Sequence, residues 1–233
     1  MKQNNRMFEN KKEENYIMYY HGTEIERGRK AVETQKLPMS ISDKREQWLG
    51  DGWYFFEYER DAYKWIYDMH RSNIKKKKYS DSENLLCKFT ILGCELAKKE
   101  EREFTNFNQA HFKIFETVKD KLIELEGHEV REGDVFNYLF EIIGYREKYD
   151  LVRWSIPMGK KITYPCLRTE KRQQLQICVK KREIITNIVD LNSNIDEDKY
   201  IDIRENKENK IINLDFKYIG RGACHGKWNR FKR

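Results

Sequence analysis

Short apolar and aromatic runs alternate with polar stretches along this chain and predict where its strands lie. Each run is rich in β-branched or aromatic residues and is bounded by glycine, proline or polar residues, as buried strands are. The six runs that predict strands are YIMYYHG (16–22), GWYFF (52–56), NLLCKFTILGCEL (84–96), YDLVRWSIP (149–157), QLQICVK (174–180) and EIITNIVDL (183–191). In QLQICVK, a period of two places Leu175, Ile177 and Val179 on one face and Gln176 on the other.

A second pattern, with apolar residues three or four positions apart, predicts amphipathic helices between those strands. Ala62, Trp65, Ile66 and Met69 mark a helix over 59–71. The other helices are marked by TEIERGRKAVETQKLPMS (23–40), which closes before Pro38, by Phe115, Val118, Leu122 and Leu125, and by Phe136, Leu139, Phe140 and Ile143. Strands and helices in this order predict an α+β fold.

One domain accounts for most of the chain, because 233 residues suffice for one core and are few for two. We expect residues 1–15 to form a flexible N-terminal arm and residues 16–190 to form the folded domain, with a helical insertion at 98–148. Residues 191–233 are predicted to form a polar linker and a basic C-terminal segment.

The composition is compatible with a packed core despite 36% charged residues, because 14 Tyr, 12 Phe and 5 Trp supply large apolar faces. The net charge of +7 is modest. Its clusters are Lys75–Lys78 and the end GKWNRFKR, where Trp228 and Phe231 alternate with basic residues. Such a pattern fits nucleic-acid binding, in which cations contact phosphates and rings stack on bases. A solvated loop and a frayed tail are the alternative interpretation.

The five cysteines form no Cys-x-x-Cys pair and are odd in number, which argues against a disulfide framework or a zinc site. The first 15 residues are polar, and no apolar run approaches the ~20 residues that span a bilayer. These features predict a cytoplasmic protein with no membrane association and no metal site. His70, His111 and His128 occur in polar contexts and are assigned no role.

Three short motifs carry the candidate chemistry. His21-Gly22-Thr23 follows the first aromatic run, and Gly52-Trp53-Tyr54-Phe55 opens the second, ahead of the helix that contains Ala62 and Trp65. Gln176 lies in the later run Gln-Ile-Cys-Val. Each motif alone is common, but their order and spacing are informative.

Together the motifs resemble ADP-ribosyltransferases of the diphtheria-toxin and poly(ADP-ribose) polymerase type, and in particular bacterial toxin and phage-conflict members. That superfamily has a split antiparallel β-sheet with flanking helices and carries a His-Tyr-Glu triad on three strands. The resemblance covers roughly residues 16–190, outside the helical insertion. It implies catalytic roles for His21, Tyr54 and Gln176, with Gln176 in the position of the usual Glu.

The resemblance also implies NAD as the substrate, bound by His21, Gly22, Thr23, Tyr54 and Trp65. Gly22 would bind the nicotinamide carboxamide through its backbone, because a residue without Cβ allows close approach. His21 would hydrogen-bond a ribose hydroxyl, and Tyr54 would stack on the nicotinamide ring. The partners implied are a macromolecular acceptor, protein or nucleic acid, and an antitoxin or immunity protein.

Gln176 keeps the hydrogen bond of the family's Glu but lacks its charge. Losing a preorganised electrostatic partner typically costs about 10²–10³ in rate, so the expected activity is mono-ADP-ribosyl transfer without chain elongation. The alternatives are a non-catalytic module that binds NAD or ADP-ribose, and a nucleic-acid-binding protein with coincidental motifs.

Several residues have two interpretations at this point. Gln176 is either the third site residue or an exposed strand residue, and Glu170, in a loop that swings inward, is a second candidate for the third site. Trp65 and Tyr54 are pocket walls or core aromatics. Arg153 contacts a phosphate of NAD or forms a surface ion pair.

Overall fold

The computed structural model describes residues 17–41, 47–162 and 170–204, and side chains in that part except at 157–162, 170–173, 202 and 204. The chain divides into two compact units, Met1–Ser193 and Asn194–Arg233. In the second unit the described residues form a 3₁₀ turn, Glu197–Tyr200, and a short helix, Ile201–Arg204. The region predicted as a polar linker therefore contains helical turns, and the Asp196 side chain caps one of them by accepting from the Asp198 N–H.

Seven strands form one mixed sheet in the order β4-β5-β6-β2-β1-β3-β7. The strands are β1 (Ile17–Glu24), β2 (Trp53–Phe56), β3 (Phe89–Leu96), β4 (Glu103–Thr105), β5 (Leu151–Ile162), β6 (Glu170–Val179) and β7 (Ile185–Asp190). All pairs are antiparallel except β4 with β5. The six predicted strands are confirmed, and the α+β class with them. β4 was missed because its three residues lie inside the segment predicted as a helical insertion.

Helices cover both faces of this sheet. They are α1 (Ile25–Thr34), α2 (Glu59–Lys75), α3 (Gln109–Glu126), α4 (Glu132–Asn137) and α5 (Tyr145–Lys148), with a π-helical segment, Tyr138–Ile142, between the last two. Gly127, in the left-handed conformation, ends α3, as the apolar pattern there leads one to expect.

Two apolar clusters form the core on opposite faces of the sheet. The first cluster consists of Tyr19, Ala31, Leu37, Phe55, Leu92, Cys94, Leu96, Leu151, Ile177, Val179, Ile185 and Ile188. The second cluster consists of Leu49, Phe104, Phe115, Val135, Phe136, Leu139, Phe140, Tyr149, Val152, Trp154, Ile156 and Cys178. Neighbours along β2 and β6 alternate between the clusters, because successive side chains of a strand point to opposite faces.

The sheet opens between its two central strands. β1 pairs with β3 along all eight of its residues, and β2 pairs with β6 along all four. Between β1 and β2, both of which are fully described, the register contains a single pair, Tyr20 with Phe56. Beyond that pair the two ladders part, with His21 and Gly22 on one side of the opening and Tyr54 on the other.

Candidate active site

His21 lies at the point where β1 and β2 part, and its ring reaches across to β2. Its Nδ1 lies 2.7 Å from the carbonyl oxygen of Tyr54, and its ring centroid lies 5.8 Å from that of Phe55. A carbonyl can only accept, so Nδ1 carries the proton and donates it. This bond selects the tautomer in which Nε2 is an acceptor, and Nε2 has no hydrogen-bond partner in the described part of the chain.

Burial keeps this imidazole neutral. It lowers the pKa of His21 below its ordinary value, while the hydrogen bond to the Tyr54 carbonyl opposes that shift. Near neutral pH, Nε2 therefore presents a lone pair, suited to accept from a hydroxyl group.

Gly22 lies on the opposite face of β1 from His21 and is covered by α2. A Cβ at this position would come within 2.7 Å of Ile66 Cγ2 and 3.0 Å of Trp65 Cε3. Glycine is therefore required for the helix to approach the strand. Trp65 remains half-buried, so its ring both packs on the strand and keeps an accessible part beside the opening.

Tyr54 is held by its hydroxyl group to the turn that precedes β2. The hydroxyl donates to the Gly50 carbonyl at 2.7 Å and accepts from the Leu49 N–H at 2.9 Å. The ring packs against the second cluster, and burial is the main cause that raises the pKa of Tyr54. The hydroxyl is thus neutral and occupied, which leaves the half-buried ring as the part available to a ligand.

Gln176 is buried in the middle of the sheet, with 8% of the residue exposed. It pairs with Phe56 on β2 and with Trp154 on β5. Its interpretation as an exposed strand residue is therefore wrong, whereas the predicted alternation is confirmed, since Ile177 and Val179 belong to the first cluster. Among the residues described, none hydrogen-bonds to the Gln176 amide. Gln174, two positions earlier on the same face, is equally buried.

The register shows which predicted residues the fold brings together. Gly22, Tyr54 and Gln176 face the same side of three adjacent strands, β1, β2 and β6. Tyr20 and Gln176 flank Phe56, so they lie two strand spacings apart, about 10 Å. The His21 side chain lies on the opposite face of the sheet from this group, and its Nδ1 donates to the backbone carbonyl of Tyr54 at the opening.

Thr23 is placed differently. It pairs with Thr90 on β3, 8% of it is exposed, and its methyl group lies beside Gly28 of α1. Its side chain therefore packs under α1, on the face away from Gln176.

Two further alternatives are decided by the structure. Arg153 forms an ion pair with Glu57 at 3.1 Å and lies 5.2 Å from the Phe107 ring centroid, which agrees with the ion-pair interpretation. Glu170 opens β6 and pairs with Ile162, so it lies in a strand and not in an inward-swinging loop. Six residues of strand place it about 20 Å from Gln176.

Sequence reasoning missed Lys180, which directly follows β6. This residue is 1% exposed, and its Nζ donates to the carbonyls of Leu49 and Asp51, both at 2.7 Å. Burial lowers its pKa. A lysine after an apolar strand ordinarily marks the surface, so the only signal in the sequence was its position at the end of QLQICVK.

The described residues contain no cluster of three or more His, Cys, Asp or Glu side chains placed to hold a metal ion. Trp228 and Phe231 of the basic C-terminal segment lie outside the described residues. None of the helices in the described ranges has the length and apolar character needed to cross a membrane.

Comparison with known proteins identifies one relative. The chain is 30% identical over 202 residues to Uncharacterized protein MJ0359 of Methanocaldococcus jannaschii, a match that covers 76% of this chain and 89% of that protein. No family model and no solved structure matches the chain. At this identity over most of both chains, the protein belongs to the same family as MJ0359.

Proposed function

We propose that this protein is a mono-ADP-ribosyltransferase that cleaves NAD and transfers ADP-ribose to a macromolecular acceptor, either a protein or a nucleic acid. The observation that carries the proposal is the opening between β1 and β2, which has a neutral imidazole acceptor at its edge and, two strands away, the buried residue Gln176, to whose amide no described residue hydrogen-bonds. A sheet whose central strands are antiparallel and part at the His-Gly step supports an ADP-ribosyltransferase-like fold.

The binding mode follows from which polar groups remain available. Nε2 of His21 accepts a hydrogen bond from a ribose hydroxyl, and the backbone of Gly22 at the opening binds the nicotinamide carboxamide. The rings of Tyr54 and Trp65 contact the nicotinamide. Gln176 supplies the missing polar contact to the ribose whose glycosidic bond breaks.

In the proposed reaction the C–N bond between ribose and nicotinamide breaks, and nicotinamide leaves with the electron pair. The ribose then carries oxocarbenium character until a nucleophile of the acceptor bonds to it and loses a proton. Gln176 orients the ribose but adds no negative charge, so it stabilises this charge less than a carboxylate would. A single transfer is consistent with this weaker stabilisation.

The motifs resemble those of bacterial toxin and phage-conflict members of the superfamily. The proposal therefore includes a role in the cytoplasm as a toxin or anti-phage effector, restrained by an antitoxin or immunity partner.

The direct test incubates the full-length protein with NAD labelled in its adenylate phosphate and a cell lysate, and measures transferred label and released nicotinamide. Tyr54→Ala is expected to lower both at least about 100-fold, because it removes the ring and releases the turn that binds its hydroxyl. Tyr145→Ala is the matched control, since Tyr145 also packs against the second cluster, away from the opening. Unchanged transfer by Tyr54→Ala would refute the pocket.

A second candidate function is binding of NAD or ADP-ribose without catalysis, which the neutral Gln176 favours. Calorimetry would then show saturable binding of NAD and no nicotinamide release. Gln176→Glu separates the two, because in a catalytic pocket hydrolysis of NAD should rise or persist. A complete loss would show that Gln176 is not the third site residue. Absence of both binding and transfer would favour the nucleic-acid interpretation.

A further inference from the structure

We propose that Lys180 is a positioning residue for the candidate site: its ammonium group holds the turn at 49–51, and this turn orients Tyr54. The inference rests on the proposed function, since it concerns the same pocket. It assigns a role to a residue that touches neither the opening nor the proposed ligand.

The ammonium group is surrounded by backbone oxygens. Nζ of Lys180 donates to the carbonyls of Leu49 and Asp51 at 2.7 Å each, and it lies 5.1 Å from the ring centroid of Phe140. Both bonds end on one turn, so a single side chain directly after β6 bridges two positions of the segment that leads into β2.

The carbonyl between these two is the one that binds Tyr54. Gly50 accepts from the Tyr54 hydroxyl at 2.7 Å, and the N–H of Leu49 donates to the same hydroxyl at 2.9 Å. Of three consecutive carbonyls, Lys180 therefore binds the outer pair and Tyr54 the central one, while Cys178 Sγ lies 3.8 Å from the carbonyls of Gly50 and Asp51. A shift of the turn would move both partners of the Tyr54 hydroxyl.

The turn is also fixed from the helical side. The N–H of Asp51 donates to Asn137 Oδ1 at 2.6 Å, and the Asn137 amide donates to the Asp51 carboxylate at 3.2 Å. Gly50 has a φ of +71°, and a Cβ there would clash with Asn137 Oδ1 and approach the Gly133 carbonyl to 2.9 Å. Asn137 and the conformation of Gly50 thus restrain the turn at 49–51 from the helical side, and Lys180 restrains it from the side of β6.

A positive charge in this position calls for an explanation beyond packing. An apolar side chain would fill the same space without the cost of removing an ammonium group from water. Nζ of lysine, at the end of a long side chain, supplies several hydrogen-bond donors from one atom, which can bind the first and third carbonyls of a turn together. The geometry matches that use.

The test is a double-mutant cycle on NAD affinity, measured by calorimetry on the full-length protein. Lys180→Met is expected to weaken NAD binding at least about tenfold in the wild-type background. In the Tyr54→Phe background, where the hydroxyl that the turn holds is absent, the same change should cost less than about twofold. Lys181→Met, in the adjacent residue whose ammonium pairs with Asp150 at 3.0 Å, is the matched control and should leave NAD affinity unchanged.

If Lys180→Met does not fold, Lys180→Gln replaces it in the same cycle. Its side chain is one bond shorter and does not bridge both carbonyls, so the same coupling is expected. A second measurement needs no ligand and uses the ¹⁹F spectrum of protein labelled with 3-fluorotyrosine. The resonance that disappears in Tyr54→Phe is assigned to Tyr54. This resonance should shift in the Lys180 variant.

The outcomes are distinct. If the wild type does not bind NAD, the proposed function fails and this inference fails with it. If the wild type binds NAD and Lys180→Met binds equally well, the inference alone is overturned. Equal weakening in both backgrounds also overturns it, because the effect would then not pass through Tyr54.

Discussion

Two polar regions of this fold, the turn at 49–51 and the opening between β1 and β2, differ in how many of their polar groups have hydrogen-bond partners. In the turn at 49–51, the backbone groups of three residues bind Lys180, Tyr54 and Asn137. At the opening between β1 and β2, Nε2 of His21 and the amide of Gln176 have no partner among the described residues. The chain itself pairs the polar groups of the turn, whereas the opening keeps polar groups available, as the proposed function requires.

The largest effect is expected when a donor of the paired region is removed. Lys180→Met should lower the free energy of unfolding by about 2–4 kcal/mol, because two carbonyls of the turn lose their partner. Urea denaturation measures this change. Lys181→Met removes a partly buried ion pair to Asp150 and should cost about 1 kcal/mol or less, because Asp150 keeps its pair with Arg102. Equal losses in the two variants would contradict the contrast between the regions.

A smaller loss is expected from Gly50→Ala, at about 1–3 kcal/mol, since Gly50 combines a φ of +71° with the contact to Asn137. Gly127→Ala provides a matched control, because Gly127 has the same φ of +71° with no atom within 4 Å of an added Cβ. The difference in unfolding free energy between the two variants isolates the contact. Equal losses of unfolding free energy in the two variants would mean that the turn accommodates the added methyl group.

The pH dependence of stability tests His21. Its pKa is lower in the folded than in the unfolded protein, so the unfolded state takes up the proton first as the pH falls below about 6.5. Stability should therefore fall from pH 7 to pH 5, by at most about 1.4 kcal/mol per pH unit for this group. His21→Gln should make the unfolding free energy depend less steeply on pH over this range. His70 and His111 also have a lowered pKa, so the comparison is made between variant and wild type, and identical slopes would contradict it.

The smallest effect on stability is expected in the unpaired region. Gln176→Leu replaces an amide to which no described residue hydrogen-bonds by an apolar group of similar size, so the unfolding free energy should stay within about 1 kcal/mol of the wild type or rise. NAD binding should nevertheless be lost. Gln174→Leu shows whether the neighbouring buried amide takes part. A strong destabilisation by Gln176→Leu would show that Gln176 serves the fold.

Much of the fold was predictable because local patterns dominate its strands and long helices. The alternation around Gln176 correctly placed Ile177 and Val179 on the face opposite to it. β4 was not predictable, because three residues paired in parallel to β5 carry too little periodicity. His111, assigned no role, stacks on Phe104 at 4.9 Å and bonds to the Tyr149 hydroxyl at 3.1 Å. Its aromatic surroundings come from residues distant in sequence.

The sequence by itself determined where six of the seven strands lie along the chain, the face of Gln176 relative to its neighbours on β6, and the three motifs of the candidate site. These depend on residue type and spacing along the chain. Only the tertiary structure decided that β6, β2 and β1 are adjacent, that the sheet opens at His21, and that the ammonium group of Lys180 is buried against the turn at 49–51. The physical reason is that strand pairing and burial are set by contacts between distant segments. A polar residue's role then depends on whether those contacts supply its partner.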